Sequence, residues 1–247
     1  MIEIIKLDAT NSTNDHLKEK LSTINKKKTI IAYTYNQKKG RGQRNKEWIS
    51  EPFKNLSLSL LVFPKNLLTK DIFYVNIFAS VLLIDFFKKE KIKRLQIKWP
   101  NDILSYNKKF CGILCESIIN KHLVNKLIIG IGINVNQISF EGLPNASSMR
   151  KILKKEINLD SFTNRLIESI KKSISIFEDT PKIKSFKIFN NYLDNLYGYG
   201  TIKSYKISGG NKIQAEIVGL HRDGSLKVKL INGEIKKYNF NDIQLIF

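Results

Sequence analysis

Lys98-Trp-Pro-Asn-Asp-Ile-Leu-Ser-Tyr-Asn-Lys-Lys109-Phe-Cys-Gly-Ile-Leu-Cys-Glu116 is the most informative stretch of this 247-residue chain. It reads as strand, turn, strand, with a cation, an amide and a carboxylate packed around the rigid Trp99-Pro100 step. Lys109 follows Asp102 by seven residues, where the hairpin returns to the same end. Apolar strands need no such polar head. A site that handles a negatively charged substrate near a metal or a nucleotide does.

The surrounding chain supports a soluble globular protein. Its length allows one large domain, or one plus a small appendage, and 42% of its residues are hydrophobic. No apolar run approaches the roughly 20 residues that span a bilayer, and Met-Ile-Glu-Ile-Ile-Lys lacks the layout of a secretory signal. A cytoplasmic location without membrane attachment is the expectation. The formal charge of +20 suggests nucleic acid, but 36 lysines and only 6 arginines supply it. Specific phosphate and base contacts favour arginine forks, and these lysines are scattered in runs as short as Lys26-Lys27-Lys28, Lys88-Lys89 and Lys154-Lys155. Cys111 and Cys115 lie in one strand with Cα atoms roughly 13 Å apart, beyond disulfide reach, and read as buried thiols. His16, His122 and His221 have no ligand-like spacing, so no metal-ligating set is expected.

Residues 2–7 read as a strand, and Ser12-Thr-Asn-Asp15 as a helix N-terminus with Leu17 and Leu21 on one face. Strands follow at 29–35 and 56–63. Asp71 is the expected cap of a long apolar helix running through Phe87, which leads back to a strand at 95–99. The run Leu127-Ile-Ile-Gly-Ile-Gly-Ile-Asn134 reads as a buried strand whose glycines permit close backbone approach. Asp160 is expected to open an amphipathic helix, since Phe162, Leu166, Ile167, Ile170, Ile174 and Phe177 recur at helical spacing. A further helix is expected over 183–196. Near Tyr197 the character changes to short strands punctuated by Ser208-Gly-Gly-Asn211, Asp223-Gly224 and Asn232-Gly233, which describes a small β-barrel. The predicted division is 1–197 and 198–247.

Taken singly, the chemical motifs have structural readings: Ser12-Thr13-Asn14 as a helix cap, Gly40-Arg41-Gly42 as a solvated loop. Their joint order is more specific. Ser12-Thr-Asn, Gln37 with Gly40-Arg-Gly-Gln43 and Trp48, Lys98-Trp-Pro-Asn-Asp102, Lys109-x-x-Gly112-Ile-Leu-x-Glu116 and Gly130-x-Gly-Ile-Asn134 together resemble the biotin–protein ligase family over nearly the whole chain. The resemblance implies an α+β fold: a mixed β-sheet flanked by helices, related to class II aminoacyl-tRNA synthetases and lipoate ligases, with a small C-terminal SH3-like β-barrel. It implies an ATP- and Mg²⁺-dependent ligase that makes biotinyl-5′-AMP and transfers biotin to a lysine of a biotin carboxyl carrier protein domain, as in acetyl-CoA carboxylase. No catalytic nucleophile is needed for this, and none is evident in the sequence.

By matching position, the resemblance assigns Ser12, Thr13, Asn14 and Gln37 to the biotin ureido head. It folds the loop of Gly40, Arg41, Gly42 and Gln43 over biotin and adenylate, with Arg41 against carboxylate and phosphates. It sets Lys109 between the biotin carboxylate and the α-phosphate, and lets Gly112 bring biotin close to the strand. Trp48, Lys98, Asn101, Asp102 and Asn134 fall to the nucleotide end. Glu116 receives no role. In the family's full loop motif, Gly-Arg-Gly-Arg-x-Gly-Arg-x-Trp, Gln43 replaces the second arginine and Asn45 the third glycine. The repressor members' N-terminal DNA-binding domain is absent from the sequence given, so no DNA partner is expected, and a sheet-to-sheet homodimer is common in the family. The rival readings are a lipoate or octanoate ligase on the same core, and a basic RNA-binding protein.

Overall fold

The computed structural model describes residues 2–21, 28–43 and 46–246, so Asn45 and the Lys26-Lys27 part of the first basic run lie outside the described residues. The chain opens with β1 (Ile2–Leu7), α1 (Thr13–Lys20) and β2 (Thr29–Thr34), β1 and β2 being parallel. A two-residue ribbon, β3 (Gly40–Arg41) against β4 (Glu47–Trp48), precedes β5 (Leu56–Val62) and the long helix α2 (Phe73–Lys89). An antiparallel meander follows: β6 (Leu95–Lys98), β7 (Asp102–Ser105), β8 (Lys108–Asn120) and β9 (Leu123–Ile133). Then come α3 (Met149–Leu153), α4 (Leu159–Phe177), α5 (Thr180–Ile183) and α6 (Phe186–Asp194). The last strands are β10 (Ile202–Ile207), β11 (Lys212–Leu220), β12 (Leu226–Leu230), β13 (Ile235–Tyr238) and β14 (Ile243–Leu245).

The central mixed sheet has the order β1-β2-β5-β9-β8-β7-β6. Period-two alternation decides what each face carries. Leu56, Leu58 and Leu60 of β5 and Ile129, Ile131 and Ile133 of β9 belong to the main core with α2 and α4. On the opposite face, Leu61 and Ile128 join Leu17 of α1 in a smaller cluster, while Ser57, Ser59, Gly130 and Gly132 are left for the site. Leu17 is fully buried there, a contribution of about 1.5–3 kcal/mol.

Two expected helix starts are displaced. Asp71 sits in a short 3₁₀ turn, and α2 begins beyond it at Phe73, where Ile72 in the capping position offers no side-chain hydrogen bond. The Asp71 carboxylate is buried and taken instead by Arg222 (2.8 Å) and Lys184 (3.2 Å). The cap of α4 is Asn158, whose Oδ1 accepts from the Ser161 amide (2.9 Å), and Asp160 in its first turn accepts from Lys6 and Tyr35. The predicted apolar face of α4 is buried in full. Residues 98–116 span three strands rather than one hairpin, linked by Trp99-Pro100-Asn101 and by Tyr106-Asn107, both of which have positive φ.

The five C-terminal strands form one antiparallel sheet, β13-β12-β11-β10-β14, turning at the three predicted glycine sites. Among the described residues β13 and β14 remain its two edges, so the sheet is open where a barrel was expected. It also lacks a separate core: Tyr205, Ile217, Leu226, Val228 and Ile243 continue the main one. Phe240 stacks on Trp99 (centroids 4.9 Å apart, 17°), and Trp99 Nε1 donates to the Gly224 carbonyl (2.8 Å). Gly224 has φ +86°, and any Cβ there would run into the Phe73 ring.

Candidate active site

A cavity of about 650 Å³ lies between the glycine-bearing face of the large sheet, the β3–β4 ribbon and the second sheet. Its floor is a row of paired residues crossing four strands: Ser57, Gly132, Gly112 and Asp102. The parallel row one pleat away is Ser59, Gly130 and Leu114. Such a volume suits a small-molecule ligand.

Lys109 reaches this floor because of a register shift. β7 and β8 pair Asp102 with Gly112 and Ile103 with Cys111, but Leu104 with Lys109. One extra residue in β8 flips everything before it to the other face. Phe110 therefore packs in the core against Phe87 (4.7 Å), and Lys109 points with Asp102 into the cavity. The peptide groups freed by the bulge are satisfied by a neighbouring segment. The Lys109 amide donates to Asn145 O (2.7 Å), the Ser147 amide donates to Lys109 O (2.8 Å), and the Asn134 amide donates to Phe110 O (2.8 Å). Lys109 Nζ lies 2.7 Å from Asp102 Oδ1 and 5.2 Å from the Trp48 ring centroid. Lys98 and Lys46 line the same end. Burial, partly offset by Asp102 and reinforced by Lys109 and Lys46, holds the Lys98 ammonium below its ordinary pKa. With three ammonium groups around one carboxylate, this end attracts anions.

The other end is lined by neutral polar side chains. The Ser12 hydroxyl caps α1 (3.3 Å to the Asp15 amide). Gln37 Oε1 accepts from the Thr13 amide (2.9 Å) and hydroxyl (3.3 Å). The Ser59 hydroxyl lies 2.5 Å from Asn14 Oδ1 and 2.6 Å from Thr13 Oγ1. Gly130 makes room for this arrangement, since a Cβ there would come 2.5 Å from Asn14 Oδ1.

Glu116, without a role in the sequence reading, is a hub. It accepts from Asn14 Nδ2 (2.7 Å) and Lys18 Nζ (2.7 Å), and lies 3.4 Å from the Arg41 guanidinium, which also pairs with Asp15. Burial alone would raise its pKa; the bonds from Lys18 and Asn14 and the charges of Lys18 and Arg41 outweigh it and hold the carboxyl below its ordinary range. Arg41 lines the cavity while bound to these carboxylates at its mouth.

Other expected residues are distributed as follows. Trp48 lies flat on the glycine floor: a Cβ at Gly132 would be 2.5 Å from its Cε2 and one at Gly112 3.1 Å from its Cζ3. The space above Gly112 and Gly132 is thus filled by the indole. Gly42 and Gln43 line the cavity, whereas Gly40 is buried in the ribbon behind Gln37 and Trp48. Asn101 donates to Ile113 O (2.6 Å), which ties the Trp-Pro turn to β8. Asn134 Nδ2 donates to Ser147 O (3.0 Å), which holds the segment that clamps Lys109, and its Oδ1 is buried without a partner among the described residues. Cys111 lies on the core face, where burial raises its thiol pKa, and Cys115 is half-buried rather than fully buried. Three further elements lining or shaping the site were not singled out from sequence: Ser57 and Ser59, the segment 140–146 and the β10 face of the second sheet. Only the serines carried a readable signal, polar residues at alternate positions of Leu56-Ser-Leu-Ser-Leu60.

The chain is 34% identical over 136 residues to the bifunctional ligase/repressor BirA of Bacillus spizizenii, a match covering 55% of this chain and 41% of that relative. It therefore spans under half the length of that relative. Against BirA of Salmonella typhimurium it is 25% identical over 236 residues, 93% of this chain and 72% of the relative. The biotin protein ligase of Aquifex aeolicus in complex with biotin and ATP superposes with a TM-score of 0.77 at 26% identity, covering 99% of this chain and 98% of that one. Residues 7–134 match the model of the biotin/lipoate A/B protein ligase family, and with just over half of its length matched the chain belongs to that family.

Proposed function

We propose that the chain is an ATP-dependent biotin–protein ligase that joins biotin to a lysine of a biotin carboxyl carrier domain. The observation that carries this is one cavity with a cationic end, built by Lys109, Lys98 and Lys46, and a hydrogen-bonding uncharged end, built by Thr13, Asn14, Gln37 and Ser59. That division suits a small acid with a polar neutral head. The likeness over nearly the whole chain to a ligase with biotin and ATP bound supports it.

In the first step a biotin carboxylate oxygen bonds to the α-phosphorus of ATP, and the bond to pyrophosphate breaks. Two anions must meet, so the residues act by position and charge rather than as nucleophiles. Lys109, whose backbone is clamped by Asn145 and Ser147, would bridge carboxylate and α-phosphate. Lys98 would add positive charge at the phosphates, and Arg41 would move from Asp15 and Glu116 onto the ligand. In the second step the carrier lysine amine attacks the acyl carbon, loses a proton, and AMP leaves. Among the described residues no cluster of three or more acidic, histidine or cysteine ligands is present. Mg²⁺ needs only one or two carboxylates when phosphates supply further oxygens. Asp102 and the unpartnered Asn134 Oδ1 would hold it, and bound there it would screen the phosphate charge. Within this proposal residues 1–197 are the catalytic unit and 198–247 the SH3-like unit.

The test is direct. Purified protein, ATP, Mg²⁺, biotin and a carrier domain should give a biotinylated lysine by mass spectrometry. The lipoyl-ligase alternative on the same core is disfavoured because a dithiolane ring would leave the hydrogen-bonding end unused. Transfer of lipoyl but not biotinyl groups would overturn the proposal.

A further inference from the structure

Two buried polar atoms at the floor of the cavity have no hydrogen-bond partner among the described residues: Ser57 Oγ and Trp48 Nε1. Both belong to Gly132. Ser57 is its paired neighbour on β5, and a Cβ on Gly132 would be 2.8 Å from Trp48 Nε1. Ser57 is 3% exposed and lines the cavity. A buried hydroxyl or indole N–H left unpaired destabilises a protein, so such groups normally find partners. The polar head residues do not supply one. Thr13, Asn14, Gln37 and Ser59 already bond to one another, and Asn14 Nδ2 is taken by Glu116.

We propose that Ser57 is a substrate-contacting residue: its hydroxyl and the Trp48 indole N–H form a two-donor cleft at Gly132 for an oxygen acceptor of the bound acid. This rests on the biotin-ligase reading and adds to it a residue that recognises the ligand. The indole rests directly on Gly132, so the acceptor reaches both donors as the ring lifts off the floor. Two sources of oxygen fit that chemistry, the ureido carbonyl and the carboxylate.

Isothermal titration of biotin alone into the full chain tests it. Ser57→Ala should weaken binding about tenfold, the loss expected for one hydrogen bond to a desolvated acceptor. The free Ser57→Ala protein should melt no lower than wild type, because an unpartnered hydroxyl has been removed, while the rise in Tm on adding biotin shrinks. Trp48→Phe, which keeps a ring and drops the N–H, should couple with Ser57→Ala in a double-mutant cycle rather than add. 2-Iminobiotin, which replaces the ureido oxygen, and biotinol, which lacks the carboxylate, identify the acceptor: the Ser57→Ala penalty disappears with whichever ligand lacks it. An unchanged affinity, a lower Tm in the free variant, or strict additivity would overturn the inference while leaving the ligase reading intact. Failure of wild type to bind biotin would overturn both.

Discussion

Replacing Lys109 by alanine should separate catalysis from stability. The ammonium lies 2.7 Å from Asp102 and its side chain is 35% exposed. A unit charge about 4 Å from a developing anion, at an effective dielectric near 20, contributes about 4 kcal/mol. Asp102 offsets part of that charge and Lys98 restores some, which leaves about 3–4 kcal/mol. Adenylate formation should therefore slow by roughly 10²–10³-fold, the range typical for removing one electrostatic stabiliser. The folded state should hardly notice. A part-exposed ion pair contributes about 0–1 kcal/mol, so Tm should fall by at most about 2–4 °C. Single-turnover pyrophosphate release with saturating biotin and ATP reads the first quantity, and calorimetry reads the second. Lys109→Arg keeps the charge but changes its shape at a site fixed by a bulge, so it should recover only part of the rate. The reasoning fails if Lys109→Ala forms adenylate within about threefold of wild type, or loses rate only in proportion to unfolded protein.

Three further outcomes follow from the geometry. Gly132→Ala places a methyl group 2.5 Å from Trp48 Cε2; it should lift the indole off the floor, cost about 1–3 kcal/mol in urea unfolding, and red-shift the tryptophan emission. Glu116 is held ionised below its ordinary pKa of 4.5, so its contribution is present above that value and lost as pH falls through the lower folded one. Glu116→Gln should flatten the acid side of the stability profile between neutral pH and the acid transition; an unchanged profile would remove Glu116 as the hub. Asp71→Asn weakens the ties of Arg222 and Lys184 to the start of α2. Amides of β11 and β12 should then exchange faster than those of β5 and β9, and equal acceleration everywhere would argue against that contact as the local tether.

Much of the fold was legible because its signals are local. Apolar runs marked β5 and β9, helical spacing marked the buried face of α4, and glycine-containing turn signals marked the C-terminal turns; each depends on residues close together in the chain. The helix caps were less legible. Asp71 and Asp160 have the right chemistry for a cap, but cations distant in sequence, Arg222 and Lys6, claim their carboxylates. A barrel was expected from strand count, yet count does not determine whether edge strands meet, and β13 and β14 do not pair among the described residues.

Sequence by itself determined the inventory of the site: which cations, amides and glycines are present, and on which strands and loops they sit. Tertiary structure decided which of them face one another. Strict alternation along β8 would have turned Lys109 away from Gly112; the bulge against β7, with its freed peptide groups bonded to Asn145 and Ser147, turns it toward Asp102. Glu116 gained a role only because Asn14, Lys18 and Arg41 arrive from elements about 75 to 102 residues away. The glycines of β9 read as room for close approach, and the structure shows what approaches, Asn14 at Gly130 and Trp48 at Gly132. Register shifts and long-range ion pairs have no period in the chain, since their energies depend on groups brought together only when the sheet closes.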